Sequence, residues 1–142
     1  MRATVLYRIA SVLLIVVAAG NAYSCLIFWQ VAGHMAPVHF PLGHRLSYAQ
    51  IVVGYELFCS LCVLFGAYLA WHLGALARTT PKAIGALGWV LFAYQLVGVT
   101  ISFIVLSGPV RILTLAIAVC LGWASWQTTG HHREEQRSEG IA

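Results

Sequence analysis

A single carboxylate, Glu56, stands in the middle of an otherwise apolar run, with Cys59 and Cys62 one and two turns beyond it. A charged group at that depth in a bilayer costs about 2.5–3.5 kcal/mol to insert, so it is kept inside a bundle and given a partner, and it marks a ligand or proton site by default. Two amides have similar settings: Asn21 in an earlier apolar run and Gln95 in a later one. Asn21, Glu56 and Gln95 are therefore the candidate ligand-binding residues. Three histidines, His34, His39 and His44, share the segment before the Glu56 run and are the candidate metal or haem ligands. Their spacing of five aligns them on neither a helix nor a strand, so a metal site would need the segment to fold around the ion.

The two cysteines invite a redox reading, because quinone-linked thiol oxidoreductases include four-helix membrane proteins. That chemistry needs thiols that can be reached and deprotonated. Here all four cysteines, Cys25, Cys59, Cys62 and Cys120, lie inside apolar segments, where cysteine behaves as a small hydrophobe. The pattern is not that of a secreted disulfide framework.

Composition says which elements must carry these groups. Of 142 residues, 61% are hydrophobic and only 8% are charged, against about a quarter charged in a soluble domain. The net charge of +4 comes from basic residues near segment ends, with no patch that would suit nucleic acid. The expected fold is all-α: a polytopic membrane protein with a bundle of four transmembrane helices near residues 9–29, 47–71, 81–106 and 110–126. At about 1.5 Å per residue, runs near twenty residues cross a hydrocarbon layer of ~30 Å. The first run could pass for a signal peptide ending near Gly20-Asn21-Ala22, but it stays apolar through Trp29 and is long enough to span. Residues 1–126 form the membrane domain, and residues 127–142 read as a polar, disordered tail.

Local signals mark the boundaries. Ser47-x-x-Gln50 reads as a capping box for the second helix, Gly74 as a stop, and Thr80-Pro81 as the start of the third. Ser107-Gly108-Pro109 reads as a tight turn. On a wheel of about 100° per residue, Ser60, Val63, Ala67 and Ala70 share the Glu56 face, while Phe58, Leu61, Phe65 and Leu69 lie opposite. In lipid, small residues mark where backbones approach, so the Glu56 face turns inward and the bulky face meets lipid. Asn21 shares its face with Ala18, Ser24 and Cys25, and Gln95 with Gly88, Gly98 and Ser102. On the fourth helix Thr114, Ala118 and Ser125 form the small face. By helical rise the three polar residues fall within about 5 Å of one level, which suggests a polar layer. That layer is either hydrogen-bonded glue or a small pocket.

Arg2, Arg8, Arg78, Lys82, Arg133 and Arg137 fall on one side of the membrane and only Arg45 and Arg111 on the other, so both termini are expected in the cytoplasm. Tyr7, Trp71, Trp123 and Trp126 are then expected near the inner interface, and Trp29, Phe40 and Tyr48 near the outer one.

Four pieces carry a resemblance: Arg8-Ile9-Ala10-Ser11-Val12-Leu13-Leu14, Val38-His39-Phe40, Ala70-Trp71-His72-Leu73-Gly74 and Cys120-Leu121-Gly122-Trp123-Ala124. Together they span most of the chain, which resembles a family of small bacterial four-helix membrane proteins and, in general plan, the DoxX-like membrane proteins. The resemblance implies a bacterial inner membrane location and the four-helix architecture. It assigns no site, because none of these pieces is a chemical motif.

The functional expectation is a non-catalytic protein that binds a lipophile, or an accessory subunit of a membrane complex. The alternative is a membrane oxidoreductase component using a quinone in the polar layer, or a metal or haem on the outer histidines. The partners implied are the bilayer, a lipophilic small molecule or quinone, and a membrane protein or second copy of the chain. The residues name no cofactor.

Overall fold

The apolar runs fold as four long helices in a computed structural model, which describes residues 3–32, 34, 38–39, 45–46, 48–79, 84–105 and 108–139. In chain order these are α1 (Ala3–Ala32), the two-residue strands β1 (Val38–His39) and β2 (Arg45–Leu46), then α2 (Tyr48–Thr79), α3 (Gly85–Val105) and α4 (Pro109–Glu139). The architecture is all-α apart from that short antiparallel pair, in which Val38 faces Leu46 and His39 faces Arg45. Every helix holds a stretch apolar and long enough to cross a membrane: Ala3–Val31, Gln50–Thr79, Ala86–Ile104 and Pro109–Thr129. The shortest of these has 19 residues, about 28 Å at the helical rise. The chain is a multi-pass membrane protein.

Helix ends differ from the sequence expectation. α1 and α2 begin or run on beyond their apolar centres, because the flanking residues (Ala3, Val5, Leu6, Ala75, Leu76, Ala77) are themselves good or tolerable helix formers. α4 continues to Glu139 through the stretch that composition alone marks as a polar tail. Gln, Arg and Glu recur there, and such residues extend a helix already nucleated upstream. Ser47 and Thr80-Pro81 lie outside the described residues. α3 instead opens on the Ile84 carbonyl, which accepts from the amides of Leu87 at 2.9 Å and Gly88 at 3.4 Å. Gly108 takes the positive φ of 72° that the turn into α4 requires, and Pro109 follows as the first helical residue.

The chain divides into two compact units. The first comprises Met1–Leu14 with Gly66–Ala142, so parts of all four helices contribute to it. Its core is built from Tyr7, Ala10, Ala70, Leu73, Ile117 and Leu121. α1 and α2 run antiparallel in close approach there: a Cβ on Gly74 would lie 3.3 Å from the Thr4 carbonyl, and the Ser11 hydroxyl donates to the Ala67 carbonyl at 2.8 Å. α3 packs along α4. At one level the indole of Trp89 donates to Thr129 Oγ1 at 3.1 Å. Further along, Ser102 and Thr114 join their hydroxyls at 2.9 Å.

The second unit is Ile15–Phe65: the latter part of α1, the β1–β2 pair and the first part of α2. Cys25 donates its thiol to the Val53 carbonyl at 3.9 Å, which sets α1 against α2 in this unit. Large apolar side chains elsewhere on these helices, such as Leu26, Phe58, Leu61 and Phe65, are exposed and make a lipid-facing surface.

Candidate functional site

The second unit holds two of the three residues proposed for the polar layer. Because α1 and α2 run antiparallel here, each step forward on one matches a step back on the other. Asn21 lies four residues before Cys25, so it is level with the position four after Val53, within one residue of Glu56. Rotation agrees. Counted at about 100° per residue from the contact pair, Asn21 is turned roughly 40° from Cys25, and Glu56 roughly 60° from Val53 in the same sense. On antiparallel helices equal senses turn to the same side of the pair.

Burial supports this geometry. Asn21, Ser24, Glu56, Cys59 and Val63 are half-buried on that side, whereas Ala22, Leu26, Leu57 and Leu61 on the other side are exposed. No hydrogen bond joins Asn21 or Glu56 to another side chain among the described residues. One turn from Glu56, Ser60 is only 8% exposed, and its Oγ is the only buried side-chain oxygen among the described residues without a hydrogen-bond partner. Other helical hydroxyls do better: Ser24 of α1 bonds back to the Gly20 carbonyl at 3.0 Å, and Thr100 of α3 to the Leu96 carbonyl at 3.0 Å. Leaving a buried hydroxyl unpaired costs about 1–3 kcal/mol. Ser60 lies level with Ala18 of α1, a buried residue that has no side-chain partner to offer it.

The third residue, Gln95, belongs to the first unit. It is buried, and its Nε2 donates to the Thr114 carbonyl at 3.4 Å. Thr114 in turn bonds its hydroxyl to Ser102 and to the carbonyls of Val110 and Arg111. Gln95 thus belongs to a network that ties α3 to α4, the arrangement expected of hydrogen-bonded glue.

Of the histidines, His34 is exposed and its Nδ1 lies 3.1 Å from the Gln30 carbonyl one turn back. His39 is described by its backbone in β1 alone, and His44 lies outside the described residues. Among the described residues no three His, Cys, Asp or Glu side chains gather as a metal site. The four cysteines are free thiols: Cys25 is buried and engaged with α2, and Cys59, Cys62 and Cys120 are half-buried.

Two arrangements escaped the sequence reading. Tyr7 is fully buried, with its hydroxyl 3.1 Å from Ser125 Oγ. It fits because Gly88 has no side chain: a Cβ there would sit 2.6 Å from the Tyr7 hydroxyl. The signal was present in the small residues Gly88 and Ser125, but nothing along the sequence says which aromatic fills the gap between them. The second arrangement is Arg8, whose guanidinium carbon lies 5.0 Å from the centre of the Trp71 ring while its Nε is buried without a hydrogen bond. That contact supplies electrostatic compensation for a cation in an apolar helix. Trp71, Trp123 and Trp126 themselves are exposed on their helices.

Chemically, the second unit offers a carboxyl, an amide and a hydroxyl on one side of a helix pair. Together they can both donate and accept hydrogen bonds in an otherwise apolar setting. No family model matches this chain, and neither the curated proteins nor the solved structures contain a match to it.

Proposed function

We propose that this chain is a non-catalytic membrane protein that binds a lipophilic small molecule on the Asn21–Glu56 side of the α1–α2 pair. One observation carries the reading: two strongly polar side chains share a level and a side of a membrane helix pair, half-buried and without hydrogen bonds to other described side chains. Structural glue has the opposite signature, seen at Gln95, where the polar group already has its protein partner. Groups left without one at this depth have work with something that arrives from the membrane. The proposed setting is a bacterial inner membrane with both termini cytoplasmic, following the distribution of arginine and lysine. The likeness to small bacterial four-helix proteins of DoxX-like plan is part of the same proposal.

The test is one purification in mild detergent, with lipid-extract mass spectrometry, a visible spectrum and metal analysis on the same sample. Wild-type protein should carry an enriched lipophile that Glu56→Leu and Asn21→Leu lose at unchanged expression. A clean apoprotein that copurifies with a membrane complex would replace this reading with that of an accessory subunit. A haem band or a stoichiometric metal would replace it with that of an oxidoreductase component.

A further inference from the structure

We infer that Ser60 is a third ligand-contacting residue of this site, and that the ligand presents a neutral oxygen headgroup, a carbonyl or a hydroxyl, rather than a cation. The inference rests on the Asn21–Glu56 reading and adds to it both a residue and a chemical class.

Ser60 is more than nine-tenths buried, it stands one turn from Glu56 on the same face, and its hydroxyl has neither a backbone nor a side-chain partner. A serine on a helix can satisfy itself by bonding to the carbonyl one turn back, as Ser24 does. Ser60 does not, so its proton is available to an acceptor outside the protein. Ala18, the small residue across from it, offers no side-chain partner.

The neutral class follows from what surrounds the carboxyl. A lipophilic cation needs an ionised carboxylate in a dry setting and is usually held by aromatic faces. The nearby aromatics do not supply them: Tyr23, Tyr55 and Phe58 are turned away from the contact side and are well exposed. What the site does supply is mixed donor and acceptor capacity from an amide, a hydroxyl and a carboxyl, which suits an uncharged oxygen head. An anionic headgroup fits worse still, because the only Arg or Lys in residues 15–65 is Arg45, which lies in β2 before α2 begins.

The experiment measures equilibrium binding of three probes to the full-length protein in detergent: decyl-benzoquinone, dioleoylglycerol and tetraphenylphosphonium. A neutral probe should bind, the quinone if the head is a carbonyl and the glyceride if it is a hydroxyl. Ser60→Ala should weaken that binding about 2–10-fold, the loss of one hydrogen bond. The same variant should leave the unfolding temperature of the ligand-free protein unchanged or raised, since it removes an unpaired buried group, whereas a structural serine would lower it. Glu56→Gln should retain binding within about twofold, because the amide still donates and accepts. Unchanged affinity in Ser60→Ala, binding of no neutral probe, or preferential tetraphenylphosphonium binding that Glu56→Gln abolishes would each overturn the inference. If Glu56→Leu and Asn21→Leu lose the probe while Ser60→Ala keeps it, only the role of Ser60 falls. If all three keep it, the site itself falls.

Discussion

Gly88→Ala should destabilise the protein far more than an alanine normally does in a helix. The added Cβ would lie 2.6 Å from the Tyr7 hydroxyl, 2.9 Å from Ser125 Oγ and 3.3 Å from Ile84 Cγ2. Comfortable carbon contacts begin at about 3.5 Å, so the Tyr7 ring must retreat by about an ångström. It has nowhere to go, because Tyr7 and Ile84 are both fully buried. Overpacking of this kind costs about 1–3 kcal/mol. Parting Tyr7 from Ser125 adds about 0.5–1.5 kcal/mol. The better helix propensity of alanine returns about 0.8–1 kcal/mol. The net is a loss of about 2 kcal/mol, read as a shift in SDS-induced unfolding in mixed micelles followed by circular dichroism. The decisive comparison repeats the substitution in a Tyr7→Phe background. There the nearest clashing atom is gone and Ser125 can rotate away, so most of the penalty should vanish, leaving a coupling of about 1 kcal/mol or more. Wild-type stability in Gly88→Ala, or an equal penalty in both backgrounds, would refute the packing described here.

Three further outcomes follow from other contacts. Gly122→Ala should cost about 1–3 kcal/mol, because its Cβ would meet the Phe92 ring at 2.8 Å; Gly54→Ala and Gly98→Ala, which meet nothing within 4 Å, should be neutral or stabilising by up to about 1 kcal/mol in the same assay. Gln95→Met should change stability by only about 0.6 kcal/mol, the usual worth of one interhelical hydrogen bond in a membrane, and should leave lipophile content unchanged; a loss of bound lipophile would return Gln95 to the site. Arg8→Gln and Trp71→Leu should each destabilise, and a double-mutant cycle should return a coupling of about 0.5–2 kcal/mol; additivity would show that the Arg8–Trp71 stacking contributes nothing.

What could be read from the chain was whatever depends on residues close in sequence. The number of helices follows from the length of the apolar runs. The inward face of α2 follows from residue size: Ser60, Ala67 and Ala70 are buried, while Phe58, Leu61 and Phe65 are exposed. Asn21 sits beside the buried Ala18 and Cys25, as the wheel places it. Features that depend on distant partners were not legible. Tyr7 and Ser125 are 118 positions apart, and an aromatic near a helix end reads equally well as an interfacial anchor. Gln95 finds a backbone carbonyl, which has no sequence signature, so its wheel position could not separate glue from pocket. The orphan state of Ser60 is likewise invisible in sequence, since a helical serine can equally bond to its own backbone.

The Tyr7–Ser125 contact also constrains the order of assembly. Tyr7 reaches the membrane with α1, yet the glycine that makes room for it arrives later with α3, and its hydroxyl partner later still with α4. Until α4 is made, α1 must therefore wait in the bilayer with a phenol not yet seated, held by its apolar length and its contacts with α2. A chain halted before α4 would leave Tyr7 without its hydroxyl partner, which makes the arrival of α4 the step that latches α1 in place.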